Sequence, residues 1–324
     1  MGGHSDRPVF FDMKSKSVFS KPAVMWLTAG LCCLLWGSAF PAIKAGYSLL
    51  KIESFDTPSI LLFAGIRFFF AGVLTVIIFS LIERKALFPK RSSFKKIGVL
   101  SLFQTVLQYI FFYLGLAFTS GERGAIVNGT SVFFAILISS LLFKMEKLSA
   151  RKIAGCVLGF MGVILVSLDA FSQGAASFKG EVFILLSSIS YAFSSVFMKC
   201  FSEDDNPAML SGWQFVLGGA VLTLSGFALG GRLEIIGVKA VLLIAYLALL
   251  SALAYSLWSI LLKYNEVSRV TVCSFMIPVF GCVLSALFSD AEFSNPAVII
   301  IALAVVVIGI ILVNSGGKFR KNVV

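Results

Sequence analysis

Trp36-Gly37-Ser38-Ala39-Phe40-Pro41-Ala42-Ile43-Lys44 and Tyr191-Ala192-Phe193-Ser194-Ser195-Val196-Phe197-Met198-Lys199 lie 155 positions apart, and each sets an aromatic ring eight residues before a lysine at the end of an apolar run. A shift of 146 carries Tyr109 onto Tyr255, Phe112 onto Trp258, Phe134 onto Phe280 and Glu146 onto Glu292. A shift of 147 carries Gly65-Ile66-Arg67-Phe68 onto Gly212-Trp213-Gln214-Phe215. The 324 residues therefore read as two copies of one unit, a pattern that often decides a membrane fold.

Working outward, apolar runs cover Val24 to Ile43, Ser59 to Ile82, Ile97 to Phe118, Gly124 to Phe143, Ile153 to Leu168, Val182 to Met198, Ala208 to Gly230, Ala240 to Leu262, Val270 to Ser289 and Phe293 to Val313. Each is roughly 16 to 24 residues, near the ~20 that an α-helix needs to cross ~30 Å of hydrocarbon. Five runs fall in each copy, and an odd number makes the second copy enter the membrane from the opposite side. The expected fold class is all-α integral membrane, ten transmembrane helices as two inverted five-helix repeats. The expected divisions are a tail 1–23, a first repeat 24–168, an outer linker 169–181, a second repeat 182–313 and a tail 314–324.

Charge fixes the expected orientation. Of the 27 Lys and Arg, 20 lie in the two tails and alternate gaps, 6 in the other gaps, and Arg67 inside the second run. The gap Glu83 to Lys96 alone carries Arg84, Lys85, Lys90, Arg91, Lys95 and Lys96. By the positive-inside rule both termini are cytoplasmic, in a multi-pass protein of the plasma membrane. A net charge of +11 could point to nucleic acid, but 58% hydrophobic residues and a mean hydropathy of +0.97 point to a lipid bilayer, with the charge explained by topology. No nucleic-acid partner is expected. Cys32, Cys33, Cys156, Cys200, Cys273 and Cys282 lie within or at the ends of runs, without disulfide or zinc spacing, and read as small apolar residues. No metal or cofactor is expected. The first 23 residues lack the apolar segment of a cleavable signal peptide. The Asn128-Gly129-Thr130 sequon lies inside a run and is a chance match.

Pro58, Pro207 and Pro296 open runs, where a missing N–H costs nothing. Pro41 and Pro278 lie inside runs and release the carbonyls of Gly37 and Ser274, so each is a packed kink or a hinge. Gly155-xxx-Gly159 and Gly226-xxx-Gly230 have the spacing of close helix contacts.

The run Trp36 to Lys44, with Arg67 in Gly-Ile-Arg-Phe-Phe-Phe-Ala-Gly, the stretch Gly115 to Ala125, Pro278 and Glu292, resembles the EamA-type transporters of the drug/metabolite transporter superfamily, and the likeness covers both repeats. The resemblance implies a ten-helix transporter that moves small organic solutes, often outward, through a cavity between the repeats. Val132 stands where the mate of Pro278 would be, and Tyr191 replaces a frequent tryptophan.

Polar groups inside runs are the site candidates, because hydrocarbon makes each of them expensive. Arg67 must point into protein or water, either tied to helix-end carbonyls or touching an anionic substrate group; its repeat mate is neutral Gln214. Gln104 and Gln108 share a helical face beside Tyr109. Tyr255 with Trp258, and Asn128 with Ser131, are three apart. Trp36, Ser38, Tyr191 and Ser195, from the paired runs, complete the substrate-binding candidates. For the aromatic rings, plain core packing is the competing reading. Lys44 and Lys199 are either snorkelling anchors or the two cavity mouths.

The runs hold almost no carboxylate, so exchange or facilitated diffusion is expected rather than proton or sodium coupling. Asp169, Glu181, Glu146 and Glu292 are read as interfacial. Enzymatic chemistry lacks its usual groups, since the single histidine is His4 in the tail. The expected function is a secondary transporter of small metabolites such as amino acids, nucleobases or amphipathic compounds, by export or exchange. A metabolite sensor or scaffold without net transport is the competing reading.

Overall fold

The structure, a computed structural model, describes residues 18–53, 56–116, 118, 124, 127–166, 178–234, 237–288 and 296–315. In chain order its main helical tracts are α1 (Pro22–Leu49), α2 (Thr57–Glu83), α3 (Ser93–Leu100, a π-helical stretch Ser101–Leu107, then Gln108–Leu116), α4 (Ser131–Leu137 with a π-helical end Ile138–Leu142) and α5 (Ala150–Val166). There follow α6 (Phe178–Phe201), α7 (Pro207–Ala228), α8 (Val238–Tyr264), α9 (Val267–Thr271, a 3-10 turn Val272–Phe275, then Met276–Phe288) and α10 (Pro296–Asn314). No strand occurs among the described residues. Among the described residues, six helices are long and apolar enough to cross a membrane: Pro22–Leu49, Thr57–Glu83, Ser93–Gly115, Phe178–Phe201, Pro207–Ala228 and Val238–Tyr264. Val127–Leu142, Val267–Gly281 and Ile300–Asn314 are shorter apolar helices.

Helix ends follow hydrogen-bonding residues rather than the edges of apolar runs. Asp56 accepts the Ser59 N–H at the start of α2, Asn206 accepts those of Ala208 and Met209 at the start of α7, and Pro58 and Pro207 sit at the first turns. Lys51, Arg84 and Lys144 take left-handed backbone conformations (φ 51° each) just past α1, α2 and α4. α1 continues past Ile43 to Leu49, and residues 178–181, inside the segment 169–181 expected as a linker, are already helical. Hydropathy reads where hydrocarbon would be, whereas a helix continues until its backbone is capped. Residues 169–177, with Asp169, lie outside the described residues, as does Glu292.

Antiparallel α2 and α7 cross closely, an approach made by glycine. A Cβ on Gly65 would sit 2.3 Å from the Thr223 nitrogen, and one on Gly219 would sit 2.3 Å from the Phe69 nitrogen. Gly72 and Gly212 meet in the same reciprocal way one step along. α5 and α10 form the second such pair, with Gly155 and Gly309 each 2.6 Å from the other's carbonyl oxygen when a Cβ is added. Where apolar tails supply no driving force, this close approach of backbones is what holds helices together.

Between these pairs, α1 packs on α8 and α9, and α6 packs on α3 and α4. The hydrogen bonds of the two arrangements correspond. Cys32 Sγ donates to the Ala254 carbonyl (3.4 Å) and Cys33 Sγ to that of Cys273 (3.2 Å). On the other side, Ser187 Oγ donates to the Gln108 carbonyl (2.8 Å) and Ser188 Oγ to that of Val127 (3.4 Å). Ser190 also donates to the Phe103 carbonyl (2.7 Å), so α6 hydroxyls serve carbonyls in and just after the π-helical stretch of α3. Pro41 in α1 and Pro278 in α9 flank one crossing, where a Cβ on Gly37 would lie 2.7 Å from Phe280 Cβ.

Candidate functional site

The aromatic candidates converge where α1, α2, α3, α7 and α8 meet. Trp36 makes edge contacts with Tyr255 (ring centroids 4.9 Å) and with Trp258 (5.0 Å). Tyr255 shares a 2.8 Å hydrogen bond with Tyr109, its sequence mate at an offset of 146. Behind them Phe68 stacks on its own mate Phe215 at 5.1 Å and 12°, and also touches Tyr109 (4.4 Å). Tyr255 meets Phe215 edge-on at 4.8 Å. Tyr191 lies within electrostatic reach of Tyr109 and Tyr255.

Arg67 enters this cluster with only 4% of its surface exposed. Its guanidinium carbon lies 4.3 Å from the Phe68 ring centre, a cation–π contact. Its charge lies near Tyr47, Tyr109, Tyr113 and Tyr255. Its Nε has no hydrogen-bond partner among the described residues, nor do Trp36 Nε1, Trp258 Nε1, Gln104 Oε1, Gln108 Oε1 and Gln214 Nε2. An unmade buried hydrogen bond costs about 1–3 kcal/mol. These groups supply hydrogen bonds, one fixed cation and aromatic faces, which is the equipment of a small-molecule binding site.

Other candidates lie elsewhere. Ser38 bonds to the Leu35 carbonyl and to Tyr246 Oη on α8 (2.7 Å each), on an exposed side. Ser195 donates to the Tyr191 carbonyl (3.1 Å). Asn128 accepts from Ser188 (3.4 Å), joining the residues just before α4 to α6, and Ser131 is buried on α4. Lys44 is exposed. Lys199 instead donates to the carbonyls of Leu262 (3.0 Å) and Asn265 (2.6 Å), where it closes the C-terminal end of α8. The Glu146 side chain is enclosed by protein: its carboxylate accepts from Ser139, from Ser268 and from Lys152 Nζ (2.6 Å).

Four contributors escaped sequence reasoning: Phe68, Phe215, Tyr47 and Tyr113. The first two stood at matching positions of the 147 repeat, which was signal enough. Tyr113 stood one turn from Tyr109 among 33 phenylalanines and 7 tyrosines, with nothing to distinguish it from packing.

Several apolar helices of membrane-crossing length define a multi-pass membrane protein. The model of the EamA-like transporter family matches residues 24–168 and again 178–315. The chain belongs to this family of membrane transporters, within the drug/metabolite transporter superfamily. It is similar to an uncharacterized transporter of Archaeoglobus fulgidus, 28% identical over 78% of this chain and 86% of that protein. It is also similar to a probable amino-acid metabolite efflux pump of Escherichia coli, 24% identical over 90% of this chain and 95% of that one. A solved crystal structure superposes with a TM-score of 0.75 at 18% identity, covering 90% of this chain and 96% of the other, a likeness of fold alone.

Proposed function

We propose that this transporter exports or exchanges small organic metabolites across the plasma membrane by alternating access between two inverted five-helix repeats, residues 24–168 and 182–313, with both termini cytoplasmic. The Tyr109–Tyr255 hydrogen bond carries the reading: two repeat mates meet at the centre, on the line about which one half would be turned onto the other. The pairing of other contacts supports it. Cys32 to Ala254 becomes Ser187 to Gln108, and Cys33 to Cys273 becomes Ser188 to Val127, under the offsets of 155 and 146 read from the sequence. The family's match to two successive segments agrees with this, and so does the distribution of Lys and Arg for the orientation.

Two packings of near-equivalent halves can open one central site to either face. Trp36, Trp258, Tyr109, Tyr255 and Tyr191 would wall the solute, with Gln104 and Gln108 available to its polar groups. Arg67, present in one half only, would meet a negatively charged group. The relative named as an amino-acid metabolite efflux pump supports metabolites of that size as cargo.

Counterflow in proteoliposomes tests the proposal. Vesicles loaded with an unlabelled pool of amino acids and nucleobases should take up individual labelled members saturably without a proton gradient. Arg67→Gln, which installs the residue of the other half, should slow entry of carboxylate-bearing cargo roughly tenfold or more, the scale of one charge-assisted hydrogen bond. Folded protein giving no flux for any member would favour a sensor over a carrier.

A further inference from the structure

The segment between α2 and α3 is a built platform. Arg84 turns the chain in the left-handed region, Ser80 Oγ accepts the Leu87 N–H (3.0 Å), and Trp213 Nε1 donates to the Leu87 carbonyl (2.8 Å). Leu87 is buried, and Ser93 Oγ, also buried, donates to Asp205 (2.7 Å). Lys96 bridges Asp204 (3.0 Å) and Asp205 (2.8 Å). The other five cations, Arg84, Lys85, Lys90, Arg91 and Lys95, are exposed and form no ion pair with a described residue.

Two large rings stand among these charges. Phe88 is 72% exposed, with its back against Trp213 (6.0 Å), and Phe94 is 59% exposed at the start of α3. The positive-inside rule accounts for the cations but not for exposed phenylalanines beside them, which water disfavours. Both features suit one environment, the boundary between acyl chains and anionic headgroups, where apolar rings enter the hydrocarbon edge and Lys or Arg meets phosphate. Leu81 (73% exposed) and Ile82 (56%) continue the apolar surface along the end of α2, beside the path of an acyl chain.

We propose that this platform is a binding site for anionic phospholipid, with Arg84, Lys85, Lys90, Arg91 and Lys95 holding headgroups and Phe88 and Phe94 seated at the acyl boundary. The site rests on the proposed orientation only for which leaflet supplies the lipid. Its recognition of lipid over free phosphate comes from the rings, because charge alone would bind either.

Purified protein in neutral detergent micelles, titrated with phosphatidylglycerol, phosphatidylcholine or inorganic phosphate, reads the site through the melting temperature. Phosphatidylglycerol should raise it at low salt and do so less at high salt, whereas phosphatidylcholine and phosphate should leave it unchanged. Replacing all five cations by Gln should weaken phosphatidylglycerol binding roughly tenfold or more. The pair Phe88→Ser and Phe94→Ser should weaken it while keeping every charge, and provides a second reading if the five-fold variant folds poorly. Equal stabilisation by both lipids, reproduction of the shift by phosphate, or unchanged affinity in the two variants would overturn the site. Labelling of Lys85→Cys by a membrane-impermeant maleimide in intact cells tests the orientation separately. Labelling from outside would overturn the topology and leave the micelle result standing.

Discussion

At the residue scale, the hydroxyls of Tyr109 and Tyr255 are bonded to one another in a buried setting. Removing either leaves the other unsatisfied. Tyr109→Phe and Tyr255→Phe should each lower stability by about 1–2 kcal/mol, and the double variant by less than their sum; melting of the four proteins in a double-mutant cycle measures this. Asp205 offers a pH test outside the helices. Burial raises its carboxyl, but hydrogen bonds from Lys96 and Ser93 outweigh this and hold it below the usual carboxylate range. A carboxyl depressed on folding contributes stability that is complete above its unfolded pKa, about 3.9, and lost as pH falls through the lower folded value. Asp205→Asn should therefore remove part of the acid-induced fall in melting temperature below about pH 4 and lower the melting temperature at pH 7.

At the element scale, the α2–α7 crossing has no room at glycine. In Gly219→Ala the new methyl meets the Phe69 backbone, so one helix must move, and a loss of roughly 1–3 kcal/mol is expected. Gly30 in α1 is the control, with nothing within 4 Å of an added Cβ; Gly30→Ala should be neutral or gain up to about 1 kcal/mol of helix propensity. Melting in one detergent compares both. Element identity was legible in advance because proline and apolar length are local properties. Pro58 and Pro207 opened helices as read, and the described helical tracts follow the order of the apolar runs. The π-helical stretches of α3 and α4 were not legible. They depend on neighbours such as Ser187 and Ser190, which supply hydrogen bonds to α3 carbonyls from α6, 79 and 87 residues away.

At the scale of the whole molecule, Glu146 joins the first half to the second. It accepts the Ser268 N–H (3.1 Å) at the start of α9, and Lys152 bridges it to Glu266 (3.1 Å). The Glu146 side chain is 2% exposed and that of Lys152 9%, so Glu146→Gln leaves a buried cation with one partner fewer and should cost about 3–5 kcal/mol. Counterflow by the variant that still folds should keep its indifference to a proton gradient. A pH-driven accumulation that disappears with this substitution would instead make Glu146 a coupling group.

The sequence by itself determined the helical class, the apolar runs, the likeness of the two halves and the uneven division of positive charge, because burial in hydrocarbon imposes its demand on each residue separately. It brought Trp36, Arg67, Tyr109, Tyr255 and Trp258 forward as candidates without saying which would meet. Only the tertiary structure decided that Trp36 touches both Tyr255 and Trp258, that Lys199 closes α8 while Lys44 stays exposed, and that the Glu146 side chain is enclosed by Ser139, Lys152 and Ser268. These contacts, like the approach of the glycine faces of α2 and α7, join residues far apart in the chain, a relation that no single window of sequence contains.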